Sequence, residues 1–378
     1  MKQFITQDSV RQANSSAVFA LIKKNEEITR REIEAFTGFS WGAVSEITQR
    51  LIKNGYILEN ESGKTSGAKN PGRTPLYLKI NGGRNYAAGI DINVNGINTI
   101  IVNFKDECVY RDSFGMEYGG KDAMLNSIFA ALDTLFEYAD KNGHNILGVC
   151  AAMQGIVDKA NGVSIFFPSC RQWHDVPLIK ILEERYAYKF YLEHDPNCIL
   201  YGEMRNEPYE NAVLVRIDKG IGMAAILDGS ILSGEGMLEI GHTTIVPDGL
   251  LCVCGNRGCA EAYISKTGMI KQSNAATFDE LYNLYESGSR EAVEIFEKMA
   301  LYLGILLNNV IKIFNPRNII LCGSMMKYRD IFLERATAKV SGMNFKDECP
   351  RIKVISEENA AYGAAVMAVD ESIERIVI

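Results

Sequence analysis

Apolar positions in residues 14–24 (NSSAVFALIKK) recur at helical spacing, with Val18, Leu21 and Ile22 on one face. Thr29 then stands where a second helix would begin, and Glu32 three residues later completes a capping box. That helix runs through Ile33 and Phe36 and stops near Gly38. Ser40 predicts a third helix, with Val44, Ile47, Leu51 and Ile52 at core spacing and Gly55 at its end. Three helices, the last two joined by a short Gly-containing turn, form the pattern of a helix-turn-helix. A strand-like YILE, a polar stretch from Glu61 to Pro75 and a second strand, LYLKI, predict a long β-hairpin, or wing.

A different regime starts at Tyr86. AAGIDINV is an apolar strand carrying one carboxylate, Asp91, and GINTIIVNF and ECVYRDSF read as further strands. A helix is expected over about 121–141 and a buried strand in ILGVCAAM, then a helix over 176–187 and a strand in KFYLEHD. AVLVRI and GMAAILDGSIL form a hairpin-like pair. The rest is mainly helical, interrupted by strands in NIILCGS and RIKVIS. Strands alternating with helices over two such blocks predict two α/β lobes behind the N-terminal module.

Charge separates the same two parts. Residues 1–85 hold 13 Lys/Arg against 8 Asp/Glu, a net of +5, whereas the remainder holds 27 against 39, a net of −12. A basic module on an acidic body points to a polyanion partner for the N-terminal part alone. No apolar run is long enough to cross a bilayer, and MKQFITQDSVRQ lacks the apolar core of a signal peptide, so a cytoplasmic location without membrane contact is expected.

Nine cysteines are present, and Cys252, Cys254 and Cys259 crowd together ten to seventeen residues after His242. Three thiolates and an imidazole are a tetrahedral zinc set, and Gly255 and Gly258 let the backbone fold around an ion. The expected role is structural, with His242, Cys252, Cys254 and Cys259 as ligands of one Zn2+.

The segment Glu239-Ile-Gly241-His242 followed by CVCGNRGCAE closely resembles the signature of the repressor/ORF/kinase (ROK) family, which includes bacterial sugar kinases and sugar-responsive repressors. Other segments resemble it in order along the chain: Gly89-Ile-Asp91, Gln154-Gly155, Trp173 to Pro177, His194-Asp195-Pro-Asn197, Cys322-Gly323-Ser324 and Ala361 to Ala365. The resemblance implies an actin/hexokinase-like two-lobed domain over 86–378, its smaller lobe about 86–195 plus the C-terminal helix, behind a winged helix-turn-helix over 1–80. It implies a sugar in the cleft between lobes. Asp195 matches the kinases' general base, and His194, Asn197, Glu239, His242 and Glu261 would meet other hydroxyls. His242 would serve metal and sugar with one ring nitrogen each.

The phosphate side departs from the kinase pattern. Asp91 is followed by Ile92-Asn93-Val94-Asn95-Gly96 where the kinases carry a Gly-Gly-Thr type of turn, and Asp218-Lys219-Gly220-Ile-Gly222 replaces Gly-Thr-Gly. Side chains and a carboxylate stand where phosphates need bare N–H groups. Asp195 therefore reads as a vestigial base in a sensor rather than an enzyme. In the N-terminal module, Ser40, Trp41, Ala43, Ser45 and Gln49 of the third helix would meet DNA, and Arg73 in Gly72-Arg73-Thr-Pro75 of the wing would enter a minor groove. The expected partners are operator DNA and a small sugar effector, in a homodimer or higher homo-oligomer. The rival readings are an ATP-dependent sugar kinase with an appended DNA-binding module, and a regulator that senses a protein or a phosphosugar.

Overall fold

The computed structural model describes residues 7–61, 75–232, 238–341, 349–355 and 359–376. Arg73 and the tip of the expected wing lie outside the described residues. The chain opens with α1 (Gln7–Lys24), which begins upstream of the expected start at residue 14. There follow β1 (Ile28–Thr29), α2 (Arg30–Thr37), α3 (Trp41–Lys53), β2 (Ile57–Glu61) and β3 (Leu76–Ile80). The caps are those the sequence predicts. Thr29 accepts from the Glu32 N–H, while the Glu32 carboxylate reaches back to the Thr29 N–H at 2.8 Å. Gly38 ends α2 at φ 70°, a left-handed conformation that favours glycine. Ser40 caps α3 by accepting from Ala43 N–H. Val18, Ile22, Ile33, Val44, Leu51 and Leu78 are buried between the helices and the β1-β3-β2 sheet, which makes this a winged helix. Arg30 ties it together: Nε donates to Thr48 Oγ1 of α3 at 2.8 Å, and the guanidinium pairs with Glu59 of β2.

Next come β4 (Asn85–Asn93), β5 (Gly96–Asn103), β6 (Cys108–Phe114), α4 (Lys121–Lys141) and β7 (Asn145–Met153). A small antiparallel sheet of β8 (Ile156–Asp158), β9 (Val163–Phe166) and β10 (His174–Val176) precedes α5 (Leu178–Arg185), β11 (Phe190–His194) and α6 (Asp195–Asn206). The second half contains β12 (Ala212–Ile217), β13 (Ile221–Leu227), β14 (Ser230–Ile231), α7 (Glu261–Ile264), α8 (Lys266–Lys271), α9 (Phe278–Glu286), α10 (Arg290–Phe314), β15 (Asn318–Cys322), α11 (Arg329–Ser341) and β16 (Arg351–Val354). The chain closes with α12 (Ala360–Ile376).

The described residues fall into two compact units, one drawn from 1–198 together with 360 onward, the other from 199–359. Each has a five-stranded sheet, β6-β5-β4-β7-β11 and β14-β13-β12-β15-β16. Both run antiparallel, antiparallel, parallel, parallel in that order, so one α/β topology occurs twice. In the first unit every residue of β4 is buried, as its nearly unbroken apolar sequence requires of a strand covered on both faces. Helix α12 lies on β4 at close range. A Cβ on Gly89 would sit 1.9 Å from Ala361 O, and one on Gly363 would sit 1.7 Å from Cys198 O. In the second unit the core forms around α10, through Leu303, Leu306, Leu307 and Val310.

The winged helix belongs to the first unit because it packs on the turn between β5 and β6. Phe104 at that turn is fully buried, edge-on to Phe19 at 6.0 Å and stacked on Tyr56 at 5.8 Å between ring centroids. Lys23 of α1 meets Asp106 at 2.6 Å, with both side chains nearly buried. The Asn103 carboxamide shapes the turn by accepting from Lys105 and Glu107 N–H groups. No helix among the described residues is long and apolar enough to cross a membrane. Phe104→Ala is expected to cost about 3–5 kcal/mol and to release the N-terminal module before the rest unfolds. Urea unfolding with hydrogen exchange on α1 to α3 checks this; an unshifted midpoint with full protection would contradict it.

Candidate functional site

Helix α3 turns Val44, Ile47, Thr48 and Leu51 inward, which leaves positions 41, 45 and 49 on a stripe flanking that face, one helical turn apart. Trp41 is 50% exposed and Gln49 is exposed, whereas Ala43 and Ser45 are half-buried. Ser40 is exposed, but its hydroxyl is engaged as the helix cap. Sequence reasoning missed Phe36 as a surface residue: it is 69% exposed on α2, beside the turn into α3.

In the first unit, β4, β7 and β11 run parallel and end at one edge of the sheet. Their ends carry Asp91, Gln154 and the segment His194–Asn197. Asp195 is 3% exposed, and His194 Nε2 lies 3.5 Å from its carboxylate. Glu193, which sequence reasoning passed over, fixes this segment. Its Oε1 accepts from the His194 N–H and from Asn197 Nδ2, both at 2.9 Å, and Lys159 meets its other oxygen at 3.3 Å. Its bonds to His194 and Asn197 are local, one and four residues on, whereas its ion pair with Lys159 is remote in sequence. Asp91 accepts from Asn93 Nδ2 at 2.7 Å. The turn after β4 satisfies its own N–H groups: Val94 N donates to Gln154 Oε1 and Asn95 N to Asn93 Oδ1, each at 2.8 Å. Those two positions present no open nest for an anion.

In the second unit, His242, Cys252, Cys254 and Cys259 converge so that their ligand atoms all lie within 4.8 Å of one another. Cys252 Sγ is 3.5 Å from His242 Nδ1, and Cys254 Sγ is 3.6 Å from Cys259 Sγ. Sulfurs bound tetrahedrally at about 2.3 Å would sit roughly 3.8 Å apart, so the set fits a tetrahedral metal ion. The loop is preformed for this. Gly258, at φ 78°, leaves no room for a Cβ, which would lie 1.7 Å from Val246 O. Burial first, and then the neighbouring Cys254 and Cys252, push the Cys259 thiol up to about 12. A bound dication would offset that penalty by favouring the thiolate.

The other ring nitrogen of His242 faces Glu239, with Nε2 3.9 Å from Oε2. Glu261 lies on α7 just after the cluster. Its carboxylate accepts from Ile221 N–H at 2.9 Å, across the space that Gly220 leaves open. It thus clamps the turn after β12 onto the metal loop. That structural task was not legible in the sequence.

The ROK family profile matches residues 87–371. The xylose repressor of Bacillus subtilis (strain 168) is 26% identical over 344 residues, spanning 89% of this chain and 88% of that protein. The DNA-binding transcriptional dual regulator NagC of Escherichia coli (strain K12) is 22% identical, spanning 94% of this chain and 92% of its own length. Among solved structures, a ROK family transcriptional regulator described as a homologue of E. coli MLC protein aligns with a TM-score of 0.81 at 18% identity, over 97% of this chain and 98% of that one. A ROK family glucokinase from Streptomyces griseus, solved with glucose and AMPPNP, aligns with a TM-score of 0.62 at 22% identity, over 75% of this chain and 99% of its own.

The thiol–imidazole cluster generates a direct prediction. Co2+ added to the reduced, metal-free protein is expected to give the visible absorption of a tetrahedral thiolate site at one equivalent, and Cys254→Ser is expected to weaken binding at least about tenfold. Saturation at a different stoichiometry, or an unaffected variant, would count against the set.

Proposed function

The chain belongs to the ROK family, and from that premise we propose that it is a sugar-responsive DNA-binding regulator, a repressor of carbohydrate-utilisation genes. The observation that carries this reading is a winged helix presenting Trp41 and Gln49 to solvent, with Ser45 half-buried between them, in the same compact unit as a lobe of the family's domain. The regulators named above match nearly the whole chain, the glucokinase three quarters of it, which supports the same choice.

In this reading α3 enters the major groove with Trp41, Ser45 and Gln49, flanked by Ser40 and Ala43, while Arg73 reaches the minor groove. Two half-sites on DNA call for two such modules, hence a homodimer. Asp195, His194 and Asn197, and Glu239, His242 and Glu261, contact the hydroxyls of a monosaccharide. A site built to bond each hydroxyl rejects analogues that lack one. The metal at His242, Cys252, Cys254 and Cys259 is Zn2+ and is structural: all four protein ligands are supplied, which leaves no open position. Sugar and DNA favour different arrangements of the protein, so each weakens the other through a coupling of about 1–3 kcal/mol. The chain transfers no phosphate. The internally bonded N–H groups of Val94 and Asn95 support this.

A DNA titration with and without sugars tests the reading, with xylose and N-acetylglucosamine heading the panel because relatives carry those names. One sugar is expected to weaken operator binding about 5- to 150-fold, and Glu239→Gln to abolish that response while leaving sugar-free binding intact. Binding is expected to fall steeply with salt, and Trp41→Ala to weaken it. Equal DNA affinity at saturating concentration of every sugar would remove the sensing role. Sugar-dependent ATP consumption lost in Asp195→Asn would favour the kinase reading instead, because Asp195 is a buried carboxylate at a strand end.

A further inference from the structure

Three sulfur atoms meet on one face of the first unit's sheet. Cys150 of β7 pairs with Gly89 of β4 and with Tyr191 of β11. Paired residues of neighbouring strands share a face, and a Cβ on Gly89 would meet Ala361 O of α12. Cys150 therefore points to the side of the sheet that α12 covers. Helix α12 is drawn onto α6 at Gly363, where a Cβ would lie 1.7 Å from Cys198 O. One turn further along α12, Met367 Sδ accepts from the Cys198 thiol at 3.9 Å. The Cys198 thiol is also hydrogen-bonded with the Cys150 thiol. Cys198 is fully buried and Cys150 is 2% exposed. Cys150 and Met367 line a cavity of about 690 Å3 that Lys159, Glu183, Lys189 and Glu371 also border.

Two thiols and a thioether are soft donors, which select copper(I) over hard cations. Sulfurs bound trigonally at about 2.3 Å would stand about 4 Å apart, which matches the separation of Cys198 and Met367. The electrostatics favour a cation too. Burial first, and then the Cys150 thiol and the charges of Glu193 and Asp195, hold the Cys198 thiol well above its ordinary value. Those carboxylates oppose a bare thiolate and attract a positive ion. We propose that Cys150, Cys198 and Met367 form a metal site of their own, for a soft monovalent cation, copper(I). Uptake breaks one S–H bond and forms one S–Cu bond; the proton leaves to water through the cavity, and no electron moves. One thiolate then balances one cation, so the buried site stays neutral. It shares no residue with the set of His242, Cys252, Cys254 and Cys259, which belongs to the other unit. A bound ion would join β7, α6 and α12 beside the segment that carries Asp195 and Asn197.

The test titrates the full chain, reduced and supplied with Zn2+, in the absence of oxygen. Copper(I) is added as its bicinchoninate complex, and a second chromophoric chelator follows released Zn2+. The wild type is expected to saturate one equivalent above Cys150→Ala, with the same zinc release in both. Met367→Leu keeps the volume and removes the thioether. It is expected to bind that extra equivalent at least about tenfold more weakly. Copper(I) is also expected to raise the unfolding temperature of the wild type more than that of Met367→Leu. Equal saturation of the wild type and a folded Cys150→Ala would leave copper at the zinc ligands alone and overturn the proposal. An extra equivalent held as tightly by Met367→Leu as by the wild type would overturn it too, because the thioether would not be a ligand. Should Cys150→Ala be recovered unfolded, the wild type and Met367→Leu are compared at limiting bicinchoninate. Weaker binding of one equivalent by the variant supports the site, and identical curves overturn it.

Discussion

The contact on which the rest depends is the burial of Phe104 between Phe19 and Tyr56. Full burial of such a ring contributes about 1.5–3 kcal/mol. The neighbouring Lys23–Asp106 pair is nearly buried, so desolvation cancels much of its attraction, and its effect is to fix orientation more than to add stability. Together the two contacts convert a small three-helix module from a tethered appendage into part of the first sheet's structure. Helix α1 also touches α12, the helix that covers β4. These contacts tie the three-helix module to the first sheet.

Much of this architecture was legible in the sequence, for identifiable reasons. The capping box of Thr29 and Glu32, the Ser40 cap and the Gly38 stop are local, and each stands within four residues of its partner. The thiol–imidazole cluster was legible because its ligands span only residues 242–259 and glycines mark the tight turns. The first turns of α1 were not, because Gln7 to Asn14 lacks a clear apolar stripe at helical spacing. The docking role of Phe104 was hidden because a phenylalanine after a strand is an ordinary core residue until its neighbours are known. Gln154 and Glu261 were underread for the same reason: the groups they bond, Val94 and Ile221, lie far along the chain.

Three of these side chains share one physical task. Gln154 takes up the Val94 N–H, Asn93 takes up the Asn95 N–H, and Asp218 takes up the Ser324 hydroxyl. Each satisfies a donor that would otherwise be available to an external acceptor. Buried donors must be paired, so these side chains also help to keep the turns folded.

The path of the chain has a consequence for its synthesis. Residues 199–359 form a compact unit inserted within another, and the outer unit is completed only by α12, which is made after it. As the polypeptide emerges from the ribosome, β4 must wait for Ala361 and Ala365, with the whole inserted unit translated in between. Because α12 also contacts α1, the platform under the winged helix is finished only after the inserted unit has been made. A chain broken off late in translation therefore lacks the helix that covers β4 and supports α1, and the cell's proteases meet an exposed apolar sheet rather than a finished protein.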